Sequence, residues 1–161
     1  MIRGRPRIWP VVIFFLVALS LEVAPLPDTA APWRPPWMAL AVVYWSIRQP
    51  GRYGVGIAWL TGLLLDVLKG AVLGQHALAL ATAAYITVKL CQRLRVFPIW
   101  QQSVAICLII AVYGFLLYWI NGMTGQQPGG LLPLAPIASA LLIWPPMRWI
   151  TDHYVAPAVG N

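Results

Sequence analysis

Apolar residues fall into six runs along this chain, separated by short polar or proline-rich connections. The runs are Ile8–Ala24, Trp37–Ile47, Val55–Gly74, His76–Leu90, Ile99–Trp119 and Leu131–Ile150. A helix that crosses a bilayer needs about 20 such residues, so the pattern predicts an all-α, polytopic membrane helix bundle. Six transmembrane helices are expected over about 8–24, 35–49, 54–74, 76–90, 98–119 and 131–150. Residues 1–161 then form a single integral membrane domain. Two runs are short. From His76 to Leu90 a helix covers about 22 Å of a hydrocarbon core about 30 Å thick. The second run reaches that length only by taking in Pro35 and Pro36, which a first helical turn tolerates. Glycine and proline inside the other runs are acceptable where neighbouring helices satisfy the freed backbone groups.

Charge gives the runs a direction. With the N-terminus in the cytoplasm, Arg3, Arg5, Arg7, Arg48, Arg52, Lys89, Arg93, Arg95 and Arg148 all fall inside. Only Arg34 and Lys69 fall outside. Cations are retained on the cytoplasmic side, so both termini are expected there. Tryptophan agrees: Trp9, Trp45, Trp100 and Trp149 fall near the inner interface, and Trp33, Trp37 and Trp119 near the outer one, as an aromatic belt. Trp59 and Trp144 lie deeper and read as packing residues. The first run begins like a signal peptide, but Glu22 sits late in it and Ala24 precedes Pro25, a poor cleavage site. It reads as an uncleaved helix.

Composition removes the alternatives. The 161 residues are 60% hydrophobic and 9% charged, too few polar side chains to cover a small soluble domain and too apolar for disorder. A formal charge of +7 could suggest nucleic acid, but that needs a basic face on a water-exposed fold. Here the cations sit between apolar runs. They predict contact with anionic phospholipids and cytoplasmic partners, through Arg48, Arg52, Arg93 and Arg95, and no nucleic acid. Cys91 and Cys107 would lie at different depths, so no disulfide and no metal-ligand spacing is expected.

Only four residues are acidic: Glu22, Asp28, Asp66 and Asp152. Glu22 and Asp66 fall within spans, where a carboxylate is costly and marks a candidate site. Both are placed in the outer third of the bilayer, with Asp66 and Lys69 on one helix face. Gly54, Ala58, Gly62, Asp66, Gly70 and Gly74 recur every four residues. On a helix they form a small-residue stripe that admits a close neighbour, so Gly62, Asp66, Gly70 and Gly74 are candidates for helix packing or partner binding. Glu22, the outer cation Arg34 and the outer-interface Trp37 are further candidates of the same kind, and a separate candidate is the connection from Pro25 to Pro36. Its five prolines make it a stiff connector or a periplasmic docking surface. Gln101 and Gln102 would bind headgroups or neighbouring helices. His76 and His153 lack partners at ligand spacing. There is no nucleophile–base pattern, phosphate loop or paired carboxylate, so neither catalysis nor a cofactor nor a metal is expected.

Several segments together carry a family likeness. They are Pro25-Leu-Pro-Asp28, Arg34-Pro-Pro-Trp37, Tyr44-Trp45 and Pro50-x-Arg-x-Gly-Val-Gly56, then Gly62-Leu-Leu-Leu-Asp66-Val-Leu-Lys-Gly70-Ala-Val-Leu-Gly74, Ala84-Tyr85 and Trp100-Gln101-Gln102. In this order and spacing the chain resembles the bacterial rod shape-determining protein MreD family, from about Trp9 through the fifth run. The resemblance implies a non-catalytic, multi-pass inner-membrane subunit of the cell-elongation machinery (elongasome). Its implied partners are the bitopic protein MreC, the MreB filament and the RodA–transpeptidase synthase of peptidoglycan. A homo-oligomer is a further partner to test. The pattern is also similar to the six-helix substrate-binding subunits of energy-coupling-factor transporters, a likeness of fold that does not establish transport.

Two functions therefore stand side by side. One is a scaffold that binds other membrane proteins. The other is the substrate-binding membrane subunit of a vitamin-type transporter, which should hold a pocket of convergent polar groups, with Glu22, Asp66, Lys69 and His76 as the material for it.

Overall fold

The structure is a computed structural model, and it describes residues 8–27, 29, 33–125 and 134–155. Arg3, Arg5, Arg7, Asp28, part of the proline-rich connection and the start of the sixth run lie outside the described residues. Among the described residues six α-helices follow one another: α1 (Trp9–Val23), α2 (Trp37–Arg48), α3 (Val55–Lys69), α4 (Gln75–Val96), α5 (Ile99–Met123) and α6 (Leu134–Ile150). A π-helical turn, Thr151–Val155, continues α6. No strand occurs among the described residues.

The shortest helix is the most enclosed. Every residue of α2 from Met38 to Ile47 is buried. A helix that is apolar all round belongs inside, and α2 packs against α1, α4, α5 and α6. Aromatic rings fill its lower half: Phe14, Tyr44, Trp45, Tyr53 and Trp144 form one contiguous group. Trp45 and Trp144 are both 1% exposed. Trp144 is the packing residue its depth implied, whereas Trp45 belongs to the core and not to an interfacial belt. Trp59 differs in the other direction: it is 49% exposed, on the outer face of α3 with Leu60, Leu64, Val67 and Leu68.

α3 and α4 form a tight antiparallel pair. Ala58, Gly62, Leu65 and Asp66 are the buried face of α3, and Ala77, Ala83 and Ala84 are fully buried on α4. A methyl group added at Gly62 would stand 2.3 Å from the Ala77 Cα, closer than any carbon contact allows. The small-residue stripe thus meets a helix of the same chain. It does not run on to Gly70 and Gly74 as a helical stripe. α3 ends at Lys69, because Gly70 turns left-handed at φ 61°. The amides of Gly70 and Ala71 then bond back to the carbonyls of Val67 and Asp66, which is a Schellman ending. Gly74, at φ 96°, turns the chain into α4, and no atom crowds either glycine's missing Cβ.

α4 outruns its apolar stretch. It continues through the polar residues after Leu90 to Val96, with Cys91 and Leu94 still buried. Hydropathy stops at the first cations, but the helical period of inward positions does not. α5 is, among the described residues, the helix long and apolar enough by itself to cross a membrane; α1 is a shorter apolar helix. In α6, Pro145 and Pro146 remove the amides that would reach the carbonyls one turn back. The wide π turn follows directly.

Candidate functional site

Polar side chains gather at the two ends of the bundle, and helix ends explain where. The first four amides and last four carbonyls of a helix have no partner within it, and away from water each must find one. Amides at an N-terminus attract anions, and carbonyls at a C-terminus attract cations.

At one end lie the last turns of α1, α3 and α5 and the first turns of α2 and α4. Asp66 is fully buried there. Its Oδ2 accepts the backbone N–H of Gly74 at 2.8 Å, and its Oδ1 accepts that of His76 at 2.8 Å. The N–H of Ala77 reaches Oδ2 at 3.4 Å. Asp66 therefore caps the N-terminus of α4 from the last turn of α3, across a five-residue connection. The His76 Nδ1 lies 2.8 Å from the same Oδ1. Glu22 repeats the arrangement one helix earlier. From the last turn of α1, its Oε2 accepts the N–H of Met38 at the start of α2. Its Oε1 takes the Lys69 ammonium at 2.7 Å. Asp66 and Lys69 are neighbours in sequence but not partners: the cation turns to Glu22. Arg34 completes this end by donating to the carbonyls of Glu22 and Ala24 where α1 stops. Gln75 donates to Asn121 of α5 at 2.5 Å.

Of the candidates read from the sequence, Gly62, Asp66, Glu22, Arg34, Gly70 and Gly74 are brought to this end, and each serves helix packing or a helix terminus. Trp37 opens α2, half-buried, and faces an apolar groove with Phe14, Val17, Leu21, Ile143 and Met147. His76, which had no partner at ligand spacing, finds its carboxylate through the α3–α4 turn. Only the turn geometry brings residues 66 and 76 together, so spacing along the chain could not show it.

The opposite end holds the last turns of α2, α4 and α6 and the first turn of α5. Arg95 donates through Nε to the Ile47 carbonyl at 2.8 Å and through a terminal nitrogen to that of Arg48 at 2.8 Å. It closes the C-terminus of α2 from α4. Gln102 is 2% exposed. It donates to the Leu94 carbonyl of α4 at 2.9 Å and accepts from the Trp144 indole at 3.2 Å and from Arg148. Asp152, in the π turn, joins Arg48 at 2.9 Å, Arg148 at 3.4 Å and the Tyr44 hydroxyl at 2.5 Å. A cavity of about 370 Å³ opens among Tyr44, Ile47, Arg48, Arg95, Gln102, Trp144, Arg148 and Asp152. Arg52 and Arg93 are exposed at this end and have no side-chain hydrogen bond among the described residues.

This second cluster was only half visible in the sequence. Arg48 and Arg95 were singled out as cations, and Gln102 as an amide for headgroups or neighbouring helices; it serves the helices. Tyr44, Arg148 and Asp152 are named in the sequence only for a family likeness, an inner charge and an acidic group, and not as members of a site. The available signal was a glutamine in an apolar run and an Arg–Asp pair four apart where the last helix ends. Among the described residues no group of histidine, cysteine, aspartate or glutamate is arranged to hold a metal.

Comparisons with known proteins agree with the likeness read from the sequence. Residues 7–152 match the family model of the rod shape-determining protein MreD. The chain is 34% identical over 108 residues to the rod shape-determining protein MreD of Haemophilus influenzae (strain ATCC 51907 / DSM 11121 / KW20 / Rd), covering 67% of each chain. No solved structure matches. The chain belongs to the rod shape-determining protein MreD family, bacterial membrane proteins that act in shape determination structurally and not as enzymes.

Proposed function

We propose that this chain is a six-span inner-membrane scaffold of the rod complex, with both termini in the cytoplasm and residues 1–161 forming one membrane domain. It binds the bitopic protein MreC and, with MreB and the RodA–transpeptidase synthase, helps organise peptidoglycan synthesis. The observation that carries this reading is how the charged and titratable groups at the Asp66 end are used. Glu22, Lys69, Asp66 and His76, the groups a solute pocket would need, are bonded to one another and to helix ends. Around them the helices turn large apolar side chains outward, among them Ile13, Leu16, Leu60, Val67, Leu108, Phe115 and Leu142. Such a surface suits lipid and other membrane helices. In this reading the likeness to energy-coupling-factor subunits extends to helix number and not to transport.

Purification from native membranes in mild detergent tests it. A single-span partner recovered at fixed stoichiometry is the expected result. A small molecule recovered at fixed stoichiometry, with no protein partner, would replace the scaffold by the transporter subunit.

A further inference from the structure

The cavity at the Arg148 end differs from the other polar clusters among the described residues. Three guanidinium groups line it, from Arg48, Arg95 and Arg148, and the one carboxylate in its wall is Asp152. Asp152 does not use up the positive charge. It bridges Arg48 and Arg148, accepting from both while it takes the Tyr44 hydroxyl. Those bonds fix the guanidiniums in place. Arg95 spends two of its nitrogens on the carbonyls that end α2, which orients it without neutralising it by a full charge. Arg48, Arg95 and Arg148 therefore come from three different helices and converge on one cavity through bonds that leave positive charge over. Planar guanidiniums pre-organised in this way match the oxygens of a phosphate group better than flexible ammonium groups would.

The surroundings say what kind of phosphate. Exposed aromatic side chains flank this end: Trp100 is 67% exposed, Trp149 64% and Tyr154 67%. Rings of that kind sit at the headgroup level of a bilayer. Basic pockets between membrane helices on the cytoplasmic side take lipid headgroups. The π turn that carries Asp152 into the cavity wall is itself a distortion that concentrates at functional sites.

We propose that the cavity bounded by Arg48, Arg95 and Arg148 is a binding site for a phosphate group, and that the phosphate is the headgroup of an anionic phospholipid. The inference rests on the membrane-spanning reading of the bundle. It needs no partner protein, so its failure and that of the scaffold are distinguishable.

The test uses the isolated full chain in nanodiscs of phosphatidylcholine containing a minor fraction of phosphatidylglycerol, followed by native mass spectrometry for retained lipid. The unaltered chain should retain one phosphatidylglycerol through washing. The double variant Arg48→Gln/Arg148→Gln should retain it at least tenfold less. Lys89→Gln, which removes an exposed cation of α4 outside the cavity, should retain it fully. Thermal midpoints in pure phosphatidylcholine report whether each variant is folded. If the Gln pair is not, Arg48→Lys/Arg148→Lys keeps the charges and the pairing to Asp152 but loses the planar fork, and a several-fold loss is still expected. Inorganic phosphate and glycerol phosphate form the second arm. Protection of the chain by millimolar free phosphate, without retained lipid, would assign the site to a soluble phosphate and overturn the lipid as its source. Equal loss of lipid in the Lys89→Gln and double variants would mean diffuse surface attraction and overturn the site. Unchanged lipid retention in the double variant, with loss of a cytoplasmic protein from membranes, would overturn it in favour of an acidic peptide segment.

Discussion

The two ends of the bundle obey the same rule and come out differently. At the Asp66 end, Glu22 and Asp66 meet the N-termini of α2 and α4; at the Arg148 end, Arg95 meets the C-terminus of α2. Both follow from the partial charges that helices leave at their ends. The difference lies in the remainder. Glu22 has Lys69 and the Met38 amide, and Asp66 has His76 and the α4 amides, so both carboxylates of the first end are satisfied within it. At the second, Arg48 and Arg148 share Asp152, and Arg95 lines the same cavity with only carbonyl partners. A charge inside a membrane protein is thus not by itself a sign of chemistry. What decides is whether its neighbours use it up.

The sharpest way to break this comparison is to remove Asp66. Asp66→Leu strips the cap from α4 and leaves the amides of Gly74 and His76 without partners in a buried site. Removing one side of a buried charged network costs about 3–5 kcal/mol. Asp66→Asn keeps one acceptor and should cost about 1–2 kcal/mol, the range of a lost helix cap. Thermal unfolding in nanodiscs checks the order. If Asp66 instead serves a partner, Asp66→Leu will melt like the unaltered chain while partner recovery is lost.

Two glycines of the same motif should separate next. Gly62→Ala puts a methyl group 2.3 Å from the Ala77 Cα, so α3 and α4 must move apart. Overpacking of this kind costs about 1–3 kcal/mol. Gly70→Ala meets nothing within 4 Å, and its cost is the left-handed backbone at φ 61°, about 1 kcal/mol. Gly70→Asn, which tolerates that conformation, should recover most of it. Melting temperatures in the reverse order would mean that α3 continues through Gly70 as a helical stripe.

The smallest contrast lies at the other end. Arg95→Gln loses the bonds to the Ile47 and Arg48 carbonyls, worth about 1 kcal/mol. Arg93→Gln should change stability by less than about 0.5 kcal/mol, as exposed substitutions do. Equal effects in chemical denaturation would show that Arg95 acts as surface charge and not as the closure of α2.

Much of this was legible in the sequence, for identifiable reasons. Six helices follow from six apolar runs, and the candidates Gly62 and Asp66 from a four-residue period. The same period misleads at Gly70 and Gly74, because a stripe and a stop use the same residue. The stop was signalled all the same: Lys69 in the last turn with glycine just beyond is a helix ending. α4 runs past Leu90 because Cys91 and Leu94 keep the inward phase while the intervening residues turn polar. Pairings between distant residues were not legible. Tyr44 with Asp152, Gln102 with Arg148 and Lys69 with Glu22 depend on which helices become neighbours, and no local pattern encodes that.

The proposed six-span topology places these two ends on opposite sides of the inner membrane, the Arg148 end toward the cytoplasm. Single cysteines at Gly51 and Gly125, in a chain with Cys91 and Cys107 replaced by serine, test it directly. Gly51 lies in the turn between α2 and α3, and Gly125 just beyond the end of α5. A membrane-impermeant maleimide added to intact spheroplasts should label Gly125→Cys and leave Gly51→Cys unlabelled until the membrane is opened. Labelling of both from the same side, or of Gly51→Cys alone in intact spheroplasts, would contradict the account.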